Sequence, residues 1–230
     1  MKNNIYVIAH RGGSLLFPEN SMEAYKKSAE LGVNAVECDV HLTRDNKLVI
    51  MHDENLKRIT GIDKNISELT YNEISRIKLS NGENIPSLED VMHNVDITLI
   101  IELKGKDVAN ALSKLFIKKP ELIKKCAVIS FFHEAILEIK EHFQEIVTGA
   151  LIAGFPVDPV YMAKSCKADI ISLNFEGINK EYVNKCQEGN IKVAVWTPNT
   201  ENEIQNCIDS GVDIIASDRP DIVMKLIKKF

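Results

Sequence analysis

Short apolar runs, many of them β-branched, alternate with longer amphipathic stretches along most of the 230-residue chain. That alternation is the pattern of βαβ units laid into a parallel sheet. The runs predict strands at Ile5 to Ala9, Val33 to Val40, Leu48 to Met51, Ile97 to Leu103, Ala127 to Phe131, Thr148 to Ala153, Asp169 to Asn174, Lys192 to Thr197 and Asp213 to Ser217. This is one run more than an eight-stranded barrel needs. Only Thr43-Arg44-Asp45-Asn46-Lys47 separates the second run from the third, whereas a parallel return requires a crossover of about a dozen residues or more. The third run therefore folds back antiparallel as a hairpin arm, with Asp45-Asn46 supplying residue types that tolerate left-handed backbone at its turn. What remains is an α/β chain of eight strands with helical connections, the outline of a (β/α)8 TIM barrel.

Helix signals fit this outline. Asn20 followed by Glu23 has the spacing of a capping box, Gly32 closes the same helix, and similar stops recur at Gly189 and Gly211. The stretch from Asp53 to Asp96 is too long for an ordinary βα loop. Thr70-x-x-Glu73, and Ser87 before Leu88-Glu89-Asp90, mark starts of short helices within it. It reads as a small helical insertion, about residues 53–96, on a single domain spanning residues 1–230. Gly32-Val33-Asn34-Ala35-Val36-Glu37-Cys38-Asp39 and Gly211-Val212-Asp213-Ile214-Ile215-Ala216-Ser217-Asp218 resemble each other as one helix-to-strand junction used twice.

Composition narrows the function classes. With 28 basic and 33 acidic side chains, a formal charge of -5 and a pI near 5.7, the chain offers no overall basic balance for nucleic acid or anionic membranes. A chain of this length buries roughly 70% of its unfolded surface and needs no metal or disulfide staple, so a metal would be present for chemistry. Cys38, Cys126, Cys166, Cys186 and Cys207 are odd in number and form no C-x-x-C pair, the usage of reduced core thiols. No apolar run approaches transmembrane length, and Met1-Lys2-Asn3-Asn4 leads directly into the first strand without a signal-peptide core. A cytoplasmic location is the expectation.

Barrel enzymes carry their chemistry at the C-terminal ends of strands. The first run ends in His10-Arg11-Gly12-Gly13, the second carries Glu37-x-Asp39, the arm ends in His52-Asp53, and the run from Ile97 ends in Glu102-x-Lys104. Period-two alternation puts Glu37 and Asp39 on one face, as it does Glu102 and Lys104, and turns Cys38 toward the helical layer. Three inward carboxylates repel one another unless a cation lies between them. A divalent ion on Glu37, Asp39 and Glu102 would favour Mg²⁺ or Ca²⁺, since all the donors are oxygens; a metal-free ion-pair cluster with Arg11 and Lys104 fits the same spacing. His10 and His52, with imidazoles that titrate near neutrality, are candidates for an acid–base pair. Arg11 and Lys104 together suit a phosphate. Gly12 and Gly13 allow close backbone approach to a ligand or serve a plain turn. His41 continues the Glu37 and Asp39 face behind the site, while His93, His133 and His142 are expected to face solvent. Trp196, the sole tryptophan, ends a strand and either walls a pocket or packs in the barrel.

The ordered set His10-Arg11-Gly12, Pro18-Glu19-Asn20-Ser21, Glu37-x-Asp39-Val40, Thr43-Arg44-Asp45-Asn46, His52-Asp53, Glu102-x-Lys104, Trp196-Thr197-x-Asn199 and Ser217-Asp218-Arg219-Pro220 resembles the motifs of glycerophosphodiester phosphodiesterases over nearly the whole chain. The resemblance implies a (β/α)8 barrel with a small insertion that hydrolyses a glycerophosphodiester to sn-glycerol 3-phosphate and an alcohol. It implies a divalent cation, Mg²⁺ or Ca²⁺, on Glu37, Asp39 and Glu102, acid–base roles for His10 and His52, and substrate or phosphate contacts from Arg11, Lys104, Trp196, Glu19 and Asn20. Ser21, Gly13 and Pro198 depart from the family's more frequent residues without removing a chemical group. Two rivals share parts of this pattern: a cyclising phosphodiesterase or lyase of the phospholipase type, and a non-catalytic glycerophosphate-binding module. The sequence displays no exposed aromatic loop or basic amphipathic helix for a bilayer, so a soluble, deacylated small molecule is the expected partner.

Overall fold

The computed structural model describes residues 5–228; the Met1–Asn4 lead and the ends of the predicted 1–230 span lie outside the described residues. Among the described residues nine strands form one sheet: β1 (Tyr6–Ala9), β2 (Ala35–Leu42), β3 (Leu48–Ile50), β4 (Thr98–Leu103), β5 (Cys126–Ser130), β6 (Val147–Ile152), β7 (Ile170–Asn174), β8 (Lys192–Trp196) and β9 (Ile214–Ser217). The order is β1-β9-β8-β7-β6-β5-β4-β2-β3, and β1 also pairs with β2. All pairs are parallel except β2 with β3. Eight strands therefore close into a TIM barrel, and β3 is the hairpin arm, with Val40 opposite Ile50 and Leu42 opposite Leu48. Its turn works as the residue chemistry requires: Asn46 has a φ of 59° and donates its N–H to the Thr43 carbonyl at 2.9 Å.

The helices are α1 (Met22–Glu30), α2 (Lys57–Thr60), α3 (Tyr71–Ile74), α4 (Leu88–Asn94), α5 (Lys106–Lys118), α6 (His133–His142), α7 (Pro159–Ser165), α8 (Lys180–Glu188), α9 (Glu201–Ser210) and α10 (Pro220–Ile227). Outward-facing strand residues such as Val36, Cys38, Ile101, Val128, Val193 and Ile215 join one buried cluster with Leu112, Phe116, Ile136, Val183 and Val223 from the helices. This layer between sheet and helices is the principal hydrophobic core, and all five cysteines are free and buried.

The structure redraws two boundaries. Ser21, not Asn20, caps α1, its side chain accepting from the Ala24 N–H, while Asn20 stands just outside at a φ of 55°. The insertion also ends earlier than residue 96. Val49, Met51, Leu56, Ile66, Leu69, Ile74, Leu79 and Ile85 form a separate small core, whereas Leu88, Val91 and Met92 of α4 belong to the principal one. Thus α4 is the ordinary crossover helix into β4, and the insertion proper packs beneath the arm on its own apolar face. The helix starts expected at Thr70 and Ser87 are both present, each with a capping box. Gly32 and Gly211 both adopt left-handed backbone at their helix ends, and the two junctions they open carry Asp39 and Asp218 to the same end of the barrel.

Candidate active site

At the C-terminal end of β1 the chain turns sharply through His10, Arg11 and Gly12, with φ values of 49°, 77° and 84° at Arg11, Gly12 and Gly13. A Cβ on Gly12 would lie 2.7 Å from the Ala24 Cβ, so both its backbone conformation and its contact with α1 demand glycine. The turn aims the Arg11 N–H at Glu37 Oε2, 2.8 Å away, and delivers His10 to the barrel mouth.

Glu37 and Asp39 project inward from β2 and Glu102 from β4, all buried, with ligand oxygens within 4.8 Å of one another. Asp39 lies 2.9 Å from Lys104 Nζ and 3.6 Å from Arg11 Nε, and accepts from Asn20 Nδ2 at 2.8 Å. Glu102 takes the other side of Lys104 at 2.7 Å. Burial opposes ionisation of Asp39, but Lys104, His52 and Arg11 outweigh it and hold the carboxyl below its ordinary range. Glu37 fares differently: burial, reinforced by Asp39, pushes its carboxyl up to about 8. Burial and Asp39 also raise Glu102. Burial works against the Lys104 charge, yet Asp39 and Glu102 raise its pKa. Glu37 Oε1 is buried with no hydrogen-bond partner. Lys104 and Arg11 therefore offset part of the negative charge, while Glu37 has only the Arg11 N–H and the nearby His10 beside it. These three carboxylates could hold a metal ion, and an all-oxygen donor set with one orphaned oxygen fits a hard divalent cation.

The two histidines each meet a carboxylate. His10 Nδ1 is 2.7 Å from Asp218 Oδ1 and His52 Nδ1 is 2.6 Å from Asp53 Oδ1. An ionised carboxylate only accepts, so each pairing places a proton on Nδ1 and leaves Nε2 as the exchangeable nitrogen. Burial lowers the pKa of His10, but the Asp218 hydrogen bond and the Glu37 charge carry it above the ordinary value. Asp218 resists burial through His10 and Ser14 and falls to about 2; its second oxygen accepts from Asn199 Nδ2 at 2.9 Å. Asp53 is held at about 2, first by Arg58. Arg58 also grips Glu19 in a two-pronged contact at 2.7 and 2.8 Å, and Arg11 Nη1 reaches Glu19 at 3.5 Å.

The structure thus gathers His10, His52, Glu37, Asp39, Glu102, Arg11 and Lys104 at one mouth. Glu19 is there too, though its carboxylate is engaged by Arg58, and Asn20 lies beneath, bridging Asp39 and the Tyr25 hydroxyl at 2.7 Å. Lys104 lines the same cavity while pairing with Asp39 and Glu102. Trp196 lines the cavity, edge-on to Phe131 at 5.8 Å, with its indole nitrogen unpartnered. His41 sits behind the site, its Nε2 3.1 Å from the His52 carbonyl, and burial lowers its pKa. His93 and His142 are exposed as expected; His133 is half-buried instead, because its Nε2 lies 2.9 Å from the Leu151 carbonyl.

Sequence reasoning passed over Asp218, Asp53 and Arg58 as functional residues. A signal was present, since Asp218 ends the last strand run and Asp53 adjoins His52, the places from which a carboxylate can orient an imidazole. Arg58 comes from the insertion and had none. The expectation that the chain has no exposed aromatic loop is not met: Phe131 and Phe132 after β5, and Phe155 and Val157 after β6, are exposed. Those loops are too short and too mixed for their apolar residues to stand out as a periodic pattern.

A closed parallel barrel with carboxylates, carboxylate-held histidines and cations at its C-terminal mouth has the arrangement of a barrel enzyme. The sequence matches the glycerophosphoryl diester phosphodiesterase family over residues 10–222. It is 31% identical over 238 residues to a glycerophosphodiester phosphodiesterase of Caldanaerobacter subterraneus, covering 97% of this chain and 98% of that protein. The fold is similar to the crystal structure of a glycerophosphodiester phosphodiesterase from Parabacteroides distasonis, with a TM-score of 0.86, 30% identity and coverage of 100% and 99%. An Oleispira antarctica phosphodiesterase solved with sn-glycerol-3-phosphate shares the fold at a TM-score of 0.88, 24% identity and 96% coverage of each chain. The chain belongs to the glycerophosphoryl diester phosphodiesterase family, and it is an enzyme of phosphodiester hydrolysis. Among the described residues no helix is long and apolar enough to cross a membrane.

Proposed function

We propose that residues 1–230 act as one catalytic domain that hydrolyses glycerophosphodiesters to sn-glycerol 3-phosphate and an alcohol with the aid of a divalent cation, Mg²⁺ or Ca²⁺, held by Glu37, Asp39 and Glu102. The observation that carries this reading is the pair of imidazoles, each fixed by its own carboxylate, beside a carboxylate cluster with an orphaned oxygen on Glu37. When bound, the cation would supply positive charge for the phosphoryl group and lower the pKa of a hydroxyl beside it. The remaining steps belong to the chain's own groups. One histidine accepts the proton of the glycerol 2-hydroxyl as its oxygen bonds to phosphorus. The bond from phosphorus to the alcohol breaks, and the other histidine gives the departing oxygen its proton. Water then opens the cyclic phosphate with the two roles exchanged. Arg11 presents its guanidinium to the phosphate, and Lys104 keeps positive charge beside Asp39 and Glu102 where negative charge accumulates. Trp196 walls the pocket of the substrate, while Asn20 holds Asp39 and Glu19 anchors Arg11 and Arg58. The expected cytoplasmic setting agrees with thiols that are free and buried.

The test is release of glycerol 3-phosphate from glycerophosphocholine, with EDTA and then with Mg²⁺ or Ca²⁺ restored. Cation-dependent release is expected, and His52→Ala should abolish it while cation-dependent ligand binding survives. Near-normal turnover by that variant would refute the acid–base assignment; accumulation of the cyclic phosphate as final product would point to the cyclising enzyme instead.

A further inference from the structure

The Asn20 amide that meets Asp39 in the carboxylate cluster is itself held by the first helix. With Ser21 as the cap of α1, Asn20 is the residue before the cap and Tyr25 the fourth residue of the helix. Those two positions face each other across a helix start and are often filled by a pair of apolar side chains. Here the contact is polar: the Tyr25 hydroxyl donates to Asn20 Oδ1 at 2.7 Å, while Asn20 Nδ2 donates to Asp39 Oδ2 at 2.8 Å. A relay of two hydrogen bonds thus runs from the helix to the carboxylate. Tyr25, Asn20 and Asp39 are 0, 2 and 0% exposed, so bulk water does not stand in for a missing partner.

The relay fixes which end of the amide faces the carboxylate. An amide oxygen turned toward Asp39 would meet a group that, when ionised, only accepts. The Asp39 N–H also approaches Asn20 Oδ1, but at 3.4 Å, beyond the ordinary length of such a bond. Among the described residues the Tyr25 hydroxyl is therefore the one close donor to that oxygen. The phenol ring has a separate role, packing against the turn at Gly12, where a Cβ would lie 3.1 Å from Tyr25 Cδ1. A phenyl ring would fill that space equally and avoid the cost of burying a hydroxyl, so the hydroxyl answers to Asn20 rather than to packing.

We propose that Tyr25 is a positioning residue for the cation site: through Asn20, its hydroxyl holds the Asp39 carboxylate in the orientation in which it joins Glu37 and Glu102 around a divalent ion. This rests on the proposed metal-assisted hydrolysis and assigns part of that site's affinity to a side chain that touches neither ion nor substrate. Asp39 Oδ2 has Arg11 Nε beside it at 3.6 Å as well as the amide, and Oδ1 has Lys104 at 2.9 Å. When the neutral amide loosens, the carboxylate is left to Arg11 and Lys104, whose charges compete with an added ion.

The experiment titrates Mg²⁺ and Ca²⁺ by calorimetry into the unaltered protein, Tyr25→Phe, Asn20→Gly and the double variant, with thermal melts in parallel. Glycine suits the φ of 55° at position 20 and removes the amide. Tyr25→Phe should raise Kd by about tenfold, the low end of the loss on removing an outer partner of a metal ligand. Asn20→Gly should weaken binding at least as much. Adding Tyr25→Phe to it should change Kd by less than about twofold, because the hydroxyl then has no amide to act through. In glycerophosphocholine hydrolysis, Tyr25→Phe should need about tenfold more cation for half activation, and saturating cation should restore kcat. A lower melting temperature with unchanged Kd would reduce the hydroxyl to a satisfied buried group and overturn the proposal. Full additivity in the double variant, or a kcat loss that added cation does not repair, would overturn it too. If the unaltered protein binds no cation, the metal-assisted reading and this inference fall together. If cation binding weakens in Tyr25→Phe and not further in the double variant, yet glycerophosphocholine is not hydrolysed, the hydrolytic reading fails and the role of Tyr25 stands.

Discussion

Asp218 and Asp53 show how a side chain that touches no substrate can decide what a histidine does. Each carboxylate accepts from one Nδ1, so the imidazole is held against turning and its Nε2 is left for exchange. Asp218→Asn preserves size but can present its amide to His10, which reverses the tautomer. We expect kcat to fall by roughly 10²- to 10⁴-fold with KM little changed and the fold intact, and steady-state kinetics beside a thermal melt will check this; a KM effect alone would contradict the positioning role. Glu37 answers a different question. Its burial and its unpartnered oxygen leave it poorly compensated without a further cation, so Mg²⁺ or Ca²⁺ should stabilise the protein by about 2.7 kcal/mol at roughly a hundredfold excess over Kd. In Glu37→Gln the cation-induced rise in Tm should shrink or vanish. An undiminished rise would show that the ion binds elsewhere. The strand-end residues of this site were legible because they interrupt apolar runs with charge. Arg58 was not, since it lies on a one-turn helix with no periodic partner.

At the scale of elements, the arm and insertion act as a scaffold for His52. Lys57–Thr60 is too short a helix to be stable by itself, and it is fixed from both sides: Arg58 joins Asp53 and Glu19, while Leu56 anchors the small apolar core. A planar fork matched to two carboxylates is not replaced by an ammonium. Arg58→Lys should therefore lower kcat by roughly tenfold or more, with Arg58→Ala lower still, while a stability change within ~1 kcal/mol follows from the exposure of the pair; equal kinetics in the two variants and the parent would disconnect the insertion from catalysis. The contrast with α4 is instructive. Ser87 caps a helix of the principal core through a reciprocal box with Asp90, so Ser87→Ala should cost about 1 kcal/mol, read as a lower Tm, without changing kcat. Capping patterns at Thr70 and Ser87 could be read because nothing competes for those side chains. Asn20 had the same spacing, yet the buried Asp39 claims its amide, and the cap passes to Ser21. The insertion's late boundary was misplaced for a related reason: the periodicity of α4 reveals an apolar face but not which of two cores receives it.

Over the whole molecule, strand order was legible because parallel strands buried against helices appear as unbroken apolar runs, whereas the residues that face into the barrel were not. An inward alanine and an outward one read alike until the barrel closes. The sealed outer layer has a consequence of its own in alkali. Burial pushes the thiols of Cys126 and Cys207 up to about 12 and that of Cys186 to about 11, and raises Cys38 and Cys166 as well. In the unfolded chain these thiols ionise near ~8.5. Between that pH and 11 to 12 the folded state keeps protons that the unfolded state has lost, so the unfolded state binds fewer and stability falls as pH rises, by up to ~1.4 kcal/mol per pH unit for each thiol. Below about pH 8 both states are protonated and the effect is absent. Urea midpoints at pH 8 and pH 10 will measure the loss, and tyrosine and lysine contributions cancel in the comparison with Cys207→Ala, which should be less stable at pH 8 yet lose less between the two pH values. Equal losses in parent and variant would mean that the thiol ionises in the folded protein as freely as in the unfolded chain, and that the layer between barrel and helices admits water.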